Sequence, residues 1–324
     1  LFNAVAALFF VNELYGTAAY PMTFYVIDIL QGTFTIIPVI VAIFYGGELV
    51  WRDRERKMHE LIDSTSIPNW AFMVPKALAV VGVLLTTLLI SVVAARLVQT
   101  LRGYTDYELD KYFAWYSLPL TVEMAQLGIL SVFVQALSPN KYVGWAIMML
   151  YLVATITFNV IDLNHPLYLF GAGISVPLSD INGTAVSADG AWWVRLYWGA
   201  FSVMLAVAAH WLWRRGTAVT IRSSLRRVPR RLRSASGAVM VAAFAVFVGS
   251  GAFIYKNTNV LNEYVTGDER ERQLAEYEKK YLQYETIKQP SLTDITLNVD
   301  LYPSERRLEV NGSVQMIDAT GAPD

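Results

Sequence analysis

Phe72-Met73-Val74-Pro75-Lys76-Ala77-Leu78-Ala79-Val80-Val81-Gly82-Val83-Leu84-Leu85-Thr86-Thr87-Leu88-Leu89-Ile90-Ser91-Val92-Val93-Ala94-Ala95-Arg96-Leu97-Val98 carries no formal charge between Lys76 and Arg96. A helix needs about 20 apolar residues to cross a hydrocarbon core, and both flanking cations stand close enough to the ends to snorkel. Runs of the same kind occupy 22–45, 113–137, 142–160, 193–213 and 237–255, and 1–11 reads as the remaining half of a further span. Six such runs are hard to place in a water-soluble core. Trp and Tyr crowd their ends, with Trp192, Trp193, Tyr197 and Trp198 opening one and Trp211 and Trp213 closing it, as in an interfacial aromatic belt. Pro119 is expected to kink or interrupt the third complete span near its start.

Composition agrees. Of 324 residues, 55% are apolar and 16% charged, with mean hydropathy +0.38; soluble domains carry about 25% charged residues. The net charge of −1 conceals a split: 18 Lys+Arg against 14 Asp+Glu up to Tyr255, then 8 against 13. A polytopic segment with an acidic soluble tail fits this better than a nucleic-acid binder. The absence of cysteine removes disulfides, thiolate zinc sites and Cys nucleophiles. The first residue lies inside an apolar run and the last follows a hairpin-like pattern, so the chain is expected to be a piece of a longer protein.

Loop charges set an expected orientation. Arg52, Arg54, Arg56 and Lys57 follow the first complete span, and Lys141 the third. Arg214, Arg215, Arg222, Arg226, Arg227, Arg230, Arg231 and Arg233 follow the fifth. Since positive loops stay in the cytoplasm, 46–71, 138–141 and 214–236 are expected there, and 99–112, 161–191 and everything after Tyr255 outside. Arg214, Arg215, Arg226, Arg227, Arg230 and Arg231 then read as a topology and lipid anchor.

Within the first basic loop, Leu49, Arg52, Asp53, Arg56 and Glu60 recur at helical spacing. The span is therefore expected to continue as an amphipathic surface helix, closed by Ser66-Ile67-Pro68-Asn69. His59-Glu60-Leu61-Ile62-Asp63 begins like a zinc-protease helix but has Asp where the second His belongs. Intramembrane acids are costly, so Glu123 in the third span and Asp28 in the first are candidates for a polar site. Two readings of Glu123 stay open: a polar path for substrate or protons, or a carboxylate hydrogen-bonded to a neighbouring helix or protonated in place. In the 161–191 loop, Asp162, His165, Ser179 and Asp180 lack the elements of a catalytic constellation.

The tail opens with Thr266-Gly267-Asp268-Glu269, a capping box, ahead of Leu274, Tyr277, Tyr281 and Tyr284 on one helical face, with Pro290 ending the element. Ile295, Leu297, Val299 and Leu301 then alternate with polar residues, and Leu308, Val310, Val314 and Met316 do so again, the period of two half-buried strands. The fold class is therefore an all-α polytopic membrane protein of six complete transmembrane helices plus a truncated one. It is followed by a short helix and the first β-hairpin of an incomplete soluble β-domain, with divisions at 1–255, 256–290 and 291–324.

Glu48, then Arg52-Asp53-Arg54-Glu55, Glu60-Leu61-Ile62, Pro68 and Lys76 resemble the coupling loop of ABC-2 type permeases. The segments Tyr45-Gly46-Gly47-Glu48-Leu49-Val50-Trp51-Arg52, Asn140-Lys141-Tyr142-Val143-Gly144, Leu167-Tyr168-Leu169-Phe170-Gly171 and Leu196-Tyr197-Trp198-Gly199-Ala200 are similar to bacterial proteins that fuse such a permease to an M1-family zinc aminopeptidase. So are Phe253 to Tyr264, Tyr277-Glu278-Lys279 and Val299-Asp300-Leu301-Tyr302-Pro303. The resemblance spans essentially the whole chain. It implies most of the second permease half up to Tyr255, then the start of the peptidase N-terminal β-domain, in a bacterial cytoplasmic membrane. It implies three partners: a separate ATPase subunit contacting Glu48, Asp53, Arg54, Glu55, Glu60, Pro68 and Lys76, the other permease half, and the bilayer. No phosphate-binding Gly-x-x-x-x-Gly-Lys motif is present, so the ATPase is another chain. The family's zinc motif would lie downstream, so no cofactor, zinc ligand or catalytic residue is assigned within this chain. The alternatives are a membrane anchor of a tethered aminopeptidase without transport, or a secondary transporter using Glu123.

Overall fold

The structure is a computed structural model. It describes residues 13–14, 17–18, 20–34, 36–171, 173–174, 176, 178–179, 183, 187–213, 228–287, 290–302, 305 and 307–317. The expected half span 1–11 and Arg214, Arg215, Arg222, Arg226, Arg227, Asp180, Pro303 and Ser304 lie outside these residues. The chain divides into two compact units, Leu1–Tyr264 and Val265–Asp324.

The first unit begins with a two-residue ladder, β1 (Glu13–Leu14) and β2 (Thr17–Ala18). The helices follow: α1 (Thr23–Phe34), α2 (Ile36–Glu55), α3 (His59–Asp63), α4 (Trp70–Leu101), α5 (Leu109–Leu137), α6 (Lys141–Val160), α7 (Ser187–Leu212), α8 (Val228–Arg231) and α9 (Ala235–Tyr255). Among the described residues, five helices are long and apolar enough to cross a membrane, and up to six if α1 and α2 together make one span. The stretch read as a single first span is instead this pair, bent by 49°. Pro38 supplies the physical reason. It has no amide N–H and clashes with a preceding helical turn, so it belongs in the first turn of a helix, where α2 places it.

Pro119 acts differently from the expected kink. The helix runs through it, but the turn before it, Tyr112–Ser117, widens to a π-helix. A proline at 119 cannot donate to the carbonyl of residue 115. That carbonyl, on Trp115, accepts from Gln31 Nε2 of α1 at 3.2 Å. The helix irregularity thus docks α1 against α5.

The expected helical extension of the first span runs as far as Glu55 and is corrected beyond it. Helix α2 stops there, because Lys57 adopts φ +57°. Lys57 N–H donates to Arg54 O at 3.0 Å and Met58 N–H to Asp53 O at 2.9 Å, a Schellman ending. Helix α3 then makes only one turn before α4. Asp162, at φ +59°, ends α6 in the same way, with Leu163 N–H on Phe158 O at 2.8 Å.

Three basic connections meet at one end of the helices. Lys141 pairs with Glu48 at 3.2 Å and Glu55 at 2.5 Å, Asn69 Nδ2 donates to His210 O at 3.3 Å, and Lys76 lies 5.9 Å from the Trp213 ring centre. Small residues let the helices close here. A Cβ at Gly46 would overlap the Ser131 side chain, and one at Gly144 would overlap the Gln135 amide. Ser131 Oγ donates to Ala42 O at 2.8 Å and Trp51 Nε1 to Gln135 Oε1 at 3.0 Å. The core runs from Val26, Ile27 and Leu30 through Ile43, Leu84 and Leu88 to Tyr112, Tyr116 and Met148.

In the second unit, Thr266 Oγ1 accepts from Glu269 N–H at 3.3 Å and opens α10 (Gly267–Tyr281), as the capping box requires. The helix ends at Tyr281 with a 3-10 turn, Leu282–Tyr284, rather than at Pro290. Strands β3 (Ser291–Tyr302) and β4 (Arg307–Ile317) pair antiparallel, with Ile295 opposite Val314, Val299 opposite Val310 and Leu301 opposite Leu308. A bulge between Leu292 and Asp294 keeps Leu292 opposite Met316, so the apolar residues stay on one face.

Gly46→Ala is expected to destabilise the protein by about 1–3 kcal/mol, because Ser131 must shift and its bond to Ala42 is lost. Gly82→Ala, where a Cβ meets nothing within 4 Å, should be neutral or stabilising by at most about 1 kcal/mol. Thermal unfolding in detergent compares the two, and equal midpoints would show that the close α2–α5 approach is not required.

Candidate functional site

Glu123 projects from the second turn of the α5 segment that follows Pro119. It is buried, at 8% exposure. Arg195, in the third turn of α7 and 9% exposed, closes on it: Nη2 stands 2.9 Å from Glu123 Oε1, and Nε donates to the same oxygen at 3.1 Å. The guanidinium also lies 5.2 Å from the Trp192 ring centre, and Gln126 Nε2 donates to Arg195 O at 3.0 Å. Each charge is therefore matched and hydrogen-bonded, the condition for keeping a buried ion pair. Of the two readings of Glu123 left open by the sequence, its direct partner is now a neighbouring helix.

The pair faces a cavity of about 510 Å³, bounded by α1, α2, α5, α6, α7 and the segment after α6. Leu120, Met124 and Leu127 supply apolar wall, and Gln31, Tyr151 and Thr155 supply polar groups. Asp28 lines the same cavity, so the two acids singled out as an intramembrane polar site border one space. They differ in state: Asp28 is exposed and makes no hydrogen bond or ion pair with a described residue. Backbone completes the wall. A Cβ at Gly173 would overlap the Glu123 carboxylate, and Tyr151 Oη donates to Phe170 O at 2.6 Å.

The segment after α6 is tied down elsewhere too. Trp198 Nε1 donates to Pro166 O at 3.1 Å. Leu167 N–H donates to His165 Nδ1 at 3.2 Å, which leaves Nε2–H to donate to Asn259 Oδ1 at 3.0 Å. His165 packs edge-on against Tyr264, 4.7 Å between ring centres. Its ring nitrogens are thereby occupied, and Ser179 instead pairs backbone to backbone with Gly183. Asp162 Oδ1 accepts from Asn164 Nδ2 at 2.9 Å.

The residues of the expected coupling loop divide into two groups. Asp53 is bound by Lys76 at 2.6 Å, and Lys76 Nζ also reaches Val50 O at 3.4 Å. Glu48 and Glu55 share Lys141, and Arg54 lies over the Trp51 ring at 5.2 Å. Glu60 and Pro68 are exposed, as are Arg52 and Arg56. Of the expected lipid anchor, Arg230 is exposed and Arg231 donates to Trp211 O. Arg214, Arg215, Arg226 and Arg227 are outside the described residues. Among those described, no three His, Asp or Glu side chains converge as a metal site.

Arg195 is the residue that sequence reasoning missed. It falls among the aromatic residues at a span end, where a cation attracts no notice. The available signal was its isolation: it is the sole Lys or Arg between Asp162 and Trp213, facing the sole acid of another span. Comparison with protein-family models, curated proteins and solved structures finds no match to this chain. What fold and site together define is a helical protein with several apolar helices of membrane-spanning length, bordering a partly polar cavity with a buried ion pair in its wall.

Glu123→Leu and Arg195→Met should each destabilise the protein by about 3–5 kcal/mol, since each leaves one buried charge without its partner. The double replacement should recover most of that loss. A denaturation series in detergent measures this, and single variants no worse than the double would show that the pair contributes no coupling.

Proposed function

We propose that this chain is the transmembrane permease part of an ABC-2 type transporter, driven by a separate ATPase subunit and fused to an outward-facing M1-like metallopeptidase. The observation that carries the reading is the division of charges in the 48–76 segment. Asp53, Glu55, Glu48 and Lys76 are spent on internal ion pairs that fasten α2 to α4 and α6. Arg52, Arg56 and Glu60 stand exposed, with no ion pair to a described residue. A segment braced from within and charged on its free side suits a partner that must push on the helices behind it. The cavity supports the same reading, because a plain anchor has no use for a partly polar cavity between its helices. In this reading the basic end lies in the cytoplasm of a bacterium, the tail lies outside, and zinc belongs to the peptidase rather than to residues of this chain.

In the full-length protein, Arg52→Glu, Arg56→Glu and Glu60→Lys together should reduce co-purification of the ATPase about tenfold or more, with the thermal midpoint unchanged. Asp53→Lys should instead lower the midpoint, because it sets two cations against each other at Lys76. ATPase capture indifferent to the triple reversal would remove the coupling role, and no ATPase capture by the unaltered protein would leave an anchor for a tethered peptidase. Chelator-sensitive hydrolysis of a fluorogenic aminoacyl substrate by the full-length protein tests the fused enzyme separately.

A further inference from the structure

We infer that the cavity between α1, α5, α6 and α7 is a binding site for an amphipathic monocation, with its charged group at Asp28 and its apolar body against Leu120, Met124 and Leu127. This names the cargo class of the proposed transport site and rests on that reading for its physiological meaning, though not for the binding itself.

The argument is one of charge and surface. Three charged side chains line the cavity among the described residues: Asp28, Glu123 and Arg195. Arg195 and Glu123 cancel each other across 2.9 Å, so the lining carries one net negative charge, on Asp28. That carboxylate has no hydrogen bond or ion pair with a described residue, although it sits in the second turn of an apolar helix. Exposed on the cavity side and without a protein partner, that carboxylate stays available to a charged ligand. A cation brought by the ligand would be attracted to it, whereas an anion would meet repulsion.

The rest of the wall suits an apolar body with a few acceptors. Val39, Leu120, Met124, Leu127 and Ile174 present aliphatic surface. Tyr151 has donated its proton to Phe170 O, so its oxygen remains an acceptor. A volume of about 510 Å³ falls within the range of sites for small organic ligands, which runs from roughly 300 to 1,000 Å³. Gly32 adds a handle: it lines the cavity, and a Cβ there meets nothing within 4 Å. A Cβ can be added to this wall without displacing a neighbour.

The test uses the full-length protein in nanodiscs of zwitterionic lipid, with dansylcadaverine as a fluorescent monoamine and its N-acetyl derivative as the uncharged match. The amine should bind saturably and about tenfold or more tighter than the acetylated form. Asp28→Asn should abolish that preference, Asp28→Glu should retain it, and Gly32→Phe should prevent binding of both probes. Equal affinity for the two probes, or an Asp28→Asn variant that still prefers the amine, overturns the inference. Binding is read without any ATPase. Charge-selective binding in a protein that recruits no ATPase would therefore uphold the site while removing the transport reading. ATPase recruitment without charge selectivity would remove the site alone.

Discussion

A polar group placed in an apolar helix has to find its partner within the protein, because no water competes for it there. In this chain that constraint decides how the helices meet. Glu123 draws Arg195, and with it α7, against α5. Ser91 Oγ and Tyr116 Oη lie 2.7 Å apart and join α4 to the π turn. Gln99 accepts from Tyr112 Oη at 2.8 Å and donates to Pro21 O at 2.8 Å, joining α4, α5 and the approach to α1. Side chains that would be liabilities in a purely apolar bundle are the ones that specify which helix is next to which. Leu and Val, which find lipid tails as agreeable as each other, cannot specify this.

The cavity follows from the same rule. Helices held by discrete polar contacts need not be packed continuously, and Gln31, docked on Trp115 O through the irregularity before Pro119, holds α1 at the rim of the open space. At the basic end the arrangement is the opposite. Gly46, Gly47 and Gly144 bring α2, α5 and α6 so close that side chains there would overlap Ser131, Trp145 and Gln135. The helices are thus tight at the basic end and leave a cavity between them elsewhere.

The apolar runs were legible because their signal is cumulative: twenty residues without charge outweigh any local ambiguity. Single-residue effects were less so. Pro38 was readable as a helix start, yet it lies inside an unbroken apolar run and the run dominated. Lys57 takes a left-handed conformation more often met in Gly or Asn, so nothing in its identity announced the end of α2. Candidate acids were recognisable one at a time from their cost, but partners require tertiary placement. Asp28 and Glu123 carry the same sequence signal, and only the structure separates them into an unpaired acid and a paired one. The same limit applied to Asp53 and Glu55, which resemble exposed docking charges in sequence and are consumed by Lys76 and Lys141 in the fold.

The segment after α6 joins these parts. Its Gly173 backbone lies against the Glu123 carboxylate, Phe170 O holds Tyr151, and Pro166 O holds Trp198. Its His165 is hydrogen-bonded to Asn259, in the π turn Lys256–Val260 that continues α9. Each contact is ordinary, but their order along the chain matters. His165, Pro166 and Phe170 are hydrogen-bonded in turn to the π turn after α9, to α7 and to α6, and Gly173 backs onto Glu123 of α5. The segment that walls the cavity at Phe170 and Gly173 is thus the one that His165 ties to the residues after α9, through Asn259 and the Tyr264 ring.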